Sequence, residues 1–245
     1  MQHHPVVSQD EWLAARKALL AREKEFTRAR DALSAERRAM PWVKVEKDYA
    51  FDTPQGRRSL ADLFAGKSQL VIYHFMLGPG WIQGCPSCSY LADHFDGMTI
   101  HLAQRDVTFM AVSRAPLSEI EAYKKRMAWR FPWVSSFGGD FNRDFAVSFS
   151  KEEAAAKSLS YNYETVPVHA EELPGLSTFY KNERGEVFHT YSTYARGLDI
   201  LVGTYNVLDM APKGRDENAL PWTMAWVRRH DEYEAAQPSC CGGKT

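Results

Sequence analysis

Cys85 and Cys88 are the side chains in this sequence best suited to do chemistry. They stand in Cys85-Pro86-Ser87-Cys88, directly after an apolar run at residues 70–77 and directly before a helical pattern carried by Leu91, Phe95, Met98 and Leu102. A Cys-x-x-Cys pair between a strand and a helix is suited to thiol–disulfide exchange. The first thiol falls near a helix N-terminus, where unpaired N–H groups and the helix dipole favour thiolate. The second lies one turn on and on the same side, placed to attack a mixed disulfide made by the first. Cys85 is the expected nucleophile and Cys88 the expected resolving thiol.

The surroundings of the pair extend the expectation. Trp81 stands four residues before Cys85 and is expected to form a lip of the cleft, against an apolar substrate. Gly84 and the other glycines of the loop at 78–84 leave few side chains to crowd Cys85. With Pro86, which follows the nucleophile, Trp81 and Gly84 make up the expected substrate-binding rim. His74 lies mid-strand and reads as a core histidine bonded to a neighbour; the other reading has it tuning the Cys85 thiolate from beneath the loop. Trp129, Phe131, Trp133 and Phe137 read mainly as core.

Cys240 and Cys241 are adjacent in the tail. Neighbouring cysteines pair with each other only under strain. Three readings stay open: incidental thiols, a relay to Cys85 and Cys88, or two ligands completing a four-thiolate zinc site. The remaining histidines show no ligand spacing, so no metal site is assigned. No Gly-Lys-Ser/Thr or G-x-G-x-x-G element is present, and no Ser–His–Asp or paired-carboxylate motif stands out. No organic cofactor is implied, because the electrons reside on the thiols.

Composition sets the frame. The chain has 245 residues, 44% hydrophobic and 25% charged, enough to bury a sizeable core without disulfide staples. A net charge of −1 favours neither nucleic acid nor an anionic membrane as a partner. The apolar runs are too short to span a bilayer, and no signal peptide is visible. Four cysteines are too few for a disulfide scaffold, which points to the cytoplasm.

The elements that must hold the thiols read as follows. Ser8 and Glu11 form a capping box for a long helix. Trp12, Leu19, Phe26, Leu33 and Met40 then recur every seven residues as one apolar stripe, until Pro41 stops the helix. The stripe suits packing on the chain's own domain or a homodimer contact. Residues 43–51 read as a strand, 59–64 as a helical turn, and 70–77 as a central strand covered on both faces. A helix to about Arg105, a strand at 107–112, a helix at 116–127 and a short strand at 133–137 follow. Asp140 is expected to cap a short helix running through Val147. Residues 148–173 have no clean period and read as an insertion. A hairpin turns at 182–185, residues 197–208 form a last core helix, and 220–227 an amphipathic piece. The expected organisation is an N-terminal helix (1–41), a main domain (42–210), and a C-terminal helix with a flexible tail (211–245).

This order, with Cys-x-x-Cys after the first central strand, resembles the thioredoxin fold in its peroxiredoxin-like variant: an α/β mixed sheet flanked by helices. More closely, the chain resembles a bacterial family catalogued as domain of unknown function 899, through Tyr73-His74-Phe75-Met76, Gly84-Cys85-Pro86-Ser87-Cys88, and Asp199-Ile200-Leu201 with Tyr205-Asn206. The resemblance implies Cys85 and Cys88 as catalytic residues. It also implies a proline just before the terminal hairpin as part of the substrate site; Pro174 lies close and Gly175 occupies the position itself. Peroxiredoxins carry a Thr three residues before the reactive Cys, where this chain has Ile82. The expected function is a thiol–disulfide oxidoreductase acting on a protein or small-molecule disulfide, with an external thiol reductant. The alternatives are a peroxiredoxin-like peroxide reductase and a non-catalytic binding protein with a thiolate metal site.

Overall fold

The computed structural model describes residues 4–156 and 158–234. The chain forms two compact units, one ending at Trp42 and the other beginning at Val43. The first is the helix α1 (Gln9–Ala39). The Ser8 hydroxyl accepts the Glu11 N–H at 3.3 Å, and the Glu11 carboxylate accepts the Ser8 N–H at 2.9 Å. Both halves of the capping box are made, so two of the orphan donors at this helix start are satisfied. Trp12, Leu19, Phe26, Leu33 and Met40 are all exposed.

The second unit runs β1 (Val43–Lys44), β2 (Ala50–Thr53), β3 (Gly56–Ser59), a 3-10 turn at Asp62–Phe64, β4 (Gln69–His74), α2 (Pro86–Ala92), α3 (Asp96–Ala103), β5 (Val107–Ser113), α4 (Leu117–Arg126), β6 (Trp133–Ser135) and α5 (Phe141–Asp144). It continues with α6 (Lys151–Ala156), β7 (Leu159–Tyr161), β8 (Glu164–Val166), β9 (Gly175–Lys181), β10 (Val187–Tyr194), a 3-10 segment at Ala195–Leu201, α7 (Gly203–Leu208) and a 3-10 turn at His230–Glu232. Eight strands form one sheet in the order β1-β10-β9-β4-β5-β6-β2-β3. β4, β5 and β6 are parallel; β9 pairs antiparallel to β4, and β10 pairs antiparallel to β9. This is a mixed sheet flanked by helices, as the resemblance implied.

The strand preceding the cysteines is the sheet's midline, and its alternation divides the interior. Leu70 and Ile72 face a core with Phe51, Phe64, Val112 and Phe141. Tyr73 faces the other core, with Phe75, Cys88, Leu91 and Phe95. Side chains of period two on a strand covered from both sides produce this division. His74 falls on the first face. Its Nε2 lies 2.8 Å from the Ser177 hydroxyl, and its ring stacks against both Phe141 and Phe145. Burial pushes its pKa down to about 3. The sheet therefore separates it from the cysteine face, and the reading in which it tunes Cys85 from below is corrected to a core histidine.

Several elements depart from the sequence reading. Residues 43–51 are not one strand. β1 pairs with β10 at one edge of the sheet, while β2 pairs with β3 and β6 at the other. Between them Lys47 ion-pairs with Asp140 and Asp144. Asp140 is thereby engaged by Lys47, and its side chain makes no capping bond to α5. The helix after Cys88 breaks at residues 93–95, which turns two carboxylates onto the segment at 129–131: Asp93 accepts from the Trp129 indole, and Asp96 from the Arg130 and Phe131 N–H groups. The expected core helix at 197–208 splits at Val202 into a 3-10 segment and α7. Residues 220–227 form turns, and no α-helix follows Leu208 among the described residues. There one Glu217 oxygen collects the Tyr205 hydroxyl, the Met224 N–H and the Trp226 indole, a convergence that a helical period would pull apart. The segment at 148–173 carries α6 and the β7–β8 hairpin around a small cluster of its own, with Phe149, Leu159 and Tyr161.

Candidate active site

Cys85 occupies the cap position of α2, with Pro86 at the first turn. Proline suits that place, since its missing N–H would have no helical partner. The Cys85 carbonyl accepts the Ser89 N–H at 3.0 Å and the Ser89 hydroxyl at 2.9 Å, and the Cys85 N–H donates to the Met76 carbonyl at 3.1 Å. The Cys85 backbone is thus tied both to its helix and to the end of β4.

The sulfur is surrounded by donors. The Cys88 thiol donates to it, burial opposes ionisation, and the Cys88 and Ser87 N–H groups together with the charge of Arg229 add to the pull; the net effect lowers the Cys85 pKa from 9.0 to about 6. Cys88 moves the other way, raised by burial and by the adjoining Cys85 sulfur. Cys88 is 2% exposed and Cys85 half-buried. The Tyr73 hydroxyl, from the strand below, bonds to Cys88. The two thiols are thus shifted in opposite directions, Cys85 towards the thiolate and Cys88 towards the protonated form.

A cavity of about 230 Å³ adjoins both cysteines. Tyr73 and Leu91 line it beside the sulfurs, Leu198, Val202 and Met224 come from the C-terminal third, and Pro174 and Asp199 also border it. The segment at 148–173 takes part indirectly. The Tyr161 hydroxyl donates to the Pro174 carbonyl at 2.6 Å and accepts the Ala195 N–H at 3.0 Å. It therefore holds together two chain segments that border the cavity.

The residues expected to form the rim have different fates. Pro174 lines the cavity; its peptide is trans, since no cis bond occurs among the described residues. Pro86 starts α2 and does not line the cavity. Trp81 is not part of the lining either: its indole approaches to 3.0 Å of where a Cβ on Gly78 would stand. Gly84 is buried, and its missing side chain makes room for the core, not for access to Cys85. A Cβ there would meet Phe75 at 2.4 Å and Tyr123 at 2.8 Å. Gly84→Ala should therefore destabilise the protein by roughly 1–3 kcal/mol or more, read as a fall in the denaturant midpoint at unchanged slope. An unchanged midpoint would show that the two rings have room to yield. Cys240 and Cys241 lie outside the described residues. Among the described residues no three His, Cys, Asp or Glu side chains are grouped to hold a metal ion. No helix among them is long and apolar enough to cross a membrane.

Two features escaped the sequence reading. Tyr73 was legible in principle, because it shares a strand face with Phe75, towards the cysteines. Arg229 was not. Its buried guanidinium donates to the Gly84 carbonyl at 3.0 and 2.6 Å and to the Glu232 carboxylate at 2.9 Å. Beside it, Arg126 binds Gln83, Asp231 and Glu232, and His230 meets Asp93. Residues 229–232 thus strap the loop that delivers Cys85, from 145 positions away in sequence.

Residues 1–233 match the family described as "Bacterial protein of unknown function (DUF899)". Among solved structures, a peroxidoxin of Mycobacterium tuberculosis is similar over 68% of this chain and 96% of its own, at 14% identity and a TM-score of 0.44. Peroxiredoxin Q of Xanthomonas campestris is similar over 64% and 90%, at 14% identity and a TM-score of 0.41. PrxQ of Xylella fastidiosa is similar over 65% and 88%, at 13% identity and a TM-score of 0.40. Compared with curated proteins, the sequence has no match.

Proposed function

The chain belongs to the DUF899 family of bacterial proteins of unknown function, and we propose that its Cys85–Cys88 pair makes it a thiol–disulfide oxidoreductase. The observation that supports this reading above others is the paired, opposite treatment of the two thiols: Cys85 lowered by donors on its sulfur, Cys88 raised by burial with its proton directed at Cys85. In the reaction, the Cys85 thiolate attacks one sulfur of a disulfide and forms a mixed disulfide, and the other sulfur leaves and takes up a proton. Cys88 then gives up its proton and attacks the Cys85 sulfur. The second thiol is released, and the protein ends as the Cys85–Cys88 disulfide, having supplied two electrons. An external dithiol returns it to the reduced state.

An equilibrium titration tests the reading. The full chain is equilibrated across ratios of reduced to oxidised dithiothreitol, alkylated, and the Cys85–Cys88 disulfide counted by mass spectrometry. One reversible two-electron transition is expected, with a tenfold change in the equilibrium per roughly 30 mV. Absence of the intrachain disulfide at every ratio would overturn the proposal, as would stoichiometric metal shielding both thiols. Peroxide consumption that survives Cys88→Ser would move the assignment to a peroxide reductase.

A further inference from the structure

The cavity beside the sulfurs carries information about what the pair reduces. Cys85 and Cys88 both border it, so a group carried on Cys85 can enter it while Cys88 stands next to the sulfur it must attack. Its walls are mostly hydrocarbon and thioether, from Met76, Leu91, Leu198, Val202 and Met224. Thioether side chains adapt to apolar groups of varied shape. Among the described residues Asp199 is the one carboxylate on the lining, and Arg215 and Arg196 each hold it at 3.2 Å. Among the described residues no lysine, arginine or histidine lines the space to receive a substrate carboxylate or phosphate.

Size narrows the choice further. A dry cavity of about 150 Å³ holds one benzene ring, whereas drug-sized ligands take about 300–1,000 Å³. At about 230 Å³ the space fits one aromatic ring or a short alkyl chain. We propose that this cavity seats the organic group of a low-molecular-weight apolar disulfide, with aryl, benzyl or short alkyl substituents, while Cys85 reduces it. The proposal rests on the dithiol reading of Cys85 and Cys88. The balance is the one given above: R–S–S–R and the protein dithiol yield two R–SH and the Cys85–Cys88 disulfide. One R group stays in the cavity on Cys85 until Cys88 displaces it, and an external dithiol resets the pair.

The test mixes the reduced full chain in turn with dipropyl disulfide, bis(2-hydroxyethyl) disulfide and glutathione disulfide, and follows mixed-disulfide formation at Cys85 by acid quenching and mass spectrometry. The first two compounds match atom for atom, with a methyl group in one where the other has a hydroxyl. The propyl compound should react about 10-fold faster than the hydroxyethyl compound, and faster than glutathione disulfide. Val202→Phe, which grows into the cavity, should lower that preference. An independent readout uses Cys88→Ser, on which the adduct persists: the propyl adduct should melt at a higher temperature than the hydroxyethyl adduct. Equal rates with equal melting temperatures, or a preference for glutathione disulfide, overturn the cavity assignment and leave the dithiol reading standing. No reaction at Cys85 with any of the three overturns the dithiol reading itself.

Discussion

Cys88→Ser should hold a mixed disulfide on Cys85 that the unsubstituted protein releases, and Cys85→Ser should form none. Both substitutions should reduce steady-state disulfide turnover by about 100-fold or more, but for different reasons. Without Cys85 there is no nucleophile; without Cys88 the first step proceeds and the second stops. The asymmetry follows from placement, since Cys85 is half-buried with donors around its sulfur and Cys88 is enclosed. The size of the rate advantage follows from two opposed effects. At pH 7 a thiol lowered from 9.0 to about 6 holds about 90-fold more thiolate, while its intrinsic nucleophilicity falls roughly 20-fold for a Brønsted slope near 0.4–0.5. The gain is a few-fold at pH 7 and about 20-fold at pH 6, so acidic pH is where the site separates from an ordinary thiol. Alkylation by iodoacetamide should therefore rise with pH to a plateau, with its midpoint near 6 for Cys85. Cys88 should stay unlabelled while the fold is intact. Cys88→Ala removes the leading cause of the shift and should move the midpoint up. A wild-type midpoint above about pH 8 would mean that the donors do not act on the sulfur as the geometry indicates.

Arg229→Met should weaken the protein and its nucleophile together. Arg229 is 7% exposed and makes two of its hydrogen bonds to the Gly84 carbonyl, one residue before Cys85. Losing them leaves a buried carbonyl without these donors, at roughly 1–3 kcal/mol. The same change removes the positive charge that helps to hold the Cys85 pKa down. A fall in the denaturant midpoint and a rise in the alkylation midpoint are therefore both expected. Arg229 ranks behind the Cys88 thiol among the causes, so its rise should be the smaller of the two. Arg229→Lys separates the roles. It keeps the charge but lacks the planar fork, so it should recover part of the alkylation midpoint and less of the stability. An alkylation midpoint unmoved in Arg229→Met would reduce the residue to a structural fastener.

Much of the local structure was legible because it depends on short-range rules. Ser8 and Glu11 announce the start of a helix three residues apart, and the apolar run before the cysteines announces a strand covered on both faces. Pro86 beside Cys85 marks the first turn of a helix. The strand–helix–strand spacing implied parallel pairing, and the hairpin around residues 182–185 implied the antiparallel side, as found for β4, β5, β9 and β10. From these elements followed the Cys-x-x-Cys pair's place between strand and helix.

What escaped was whatever depends on segments distant in sequence meeting in space. The stretch at 43–51 serves opposite edges of the sheet, which no local period encodes. Gly84 looked like open access to the nucleophile until Phe75 and Tyr123 closed on it. His74 read as a core histidine with a second reading beside the thiols, and the pleat decided between them by putting it on the other face. Part of the cavity wall comes from Leu198, Val202 and Met224, and the strap on the Cys85 loop from Arg229. The sequence by itself determined that two thiols would stand at a helix start after a central strand. Tertiary structure decided which further groups act on the first of them, what lines the space beside it and what holds its loop, because donors, burial and cavity walls are supplied by packing across the chain.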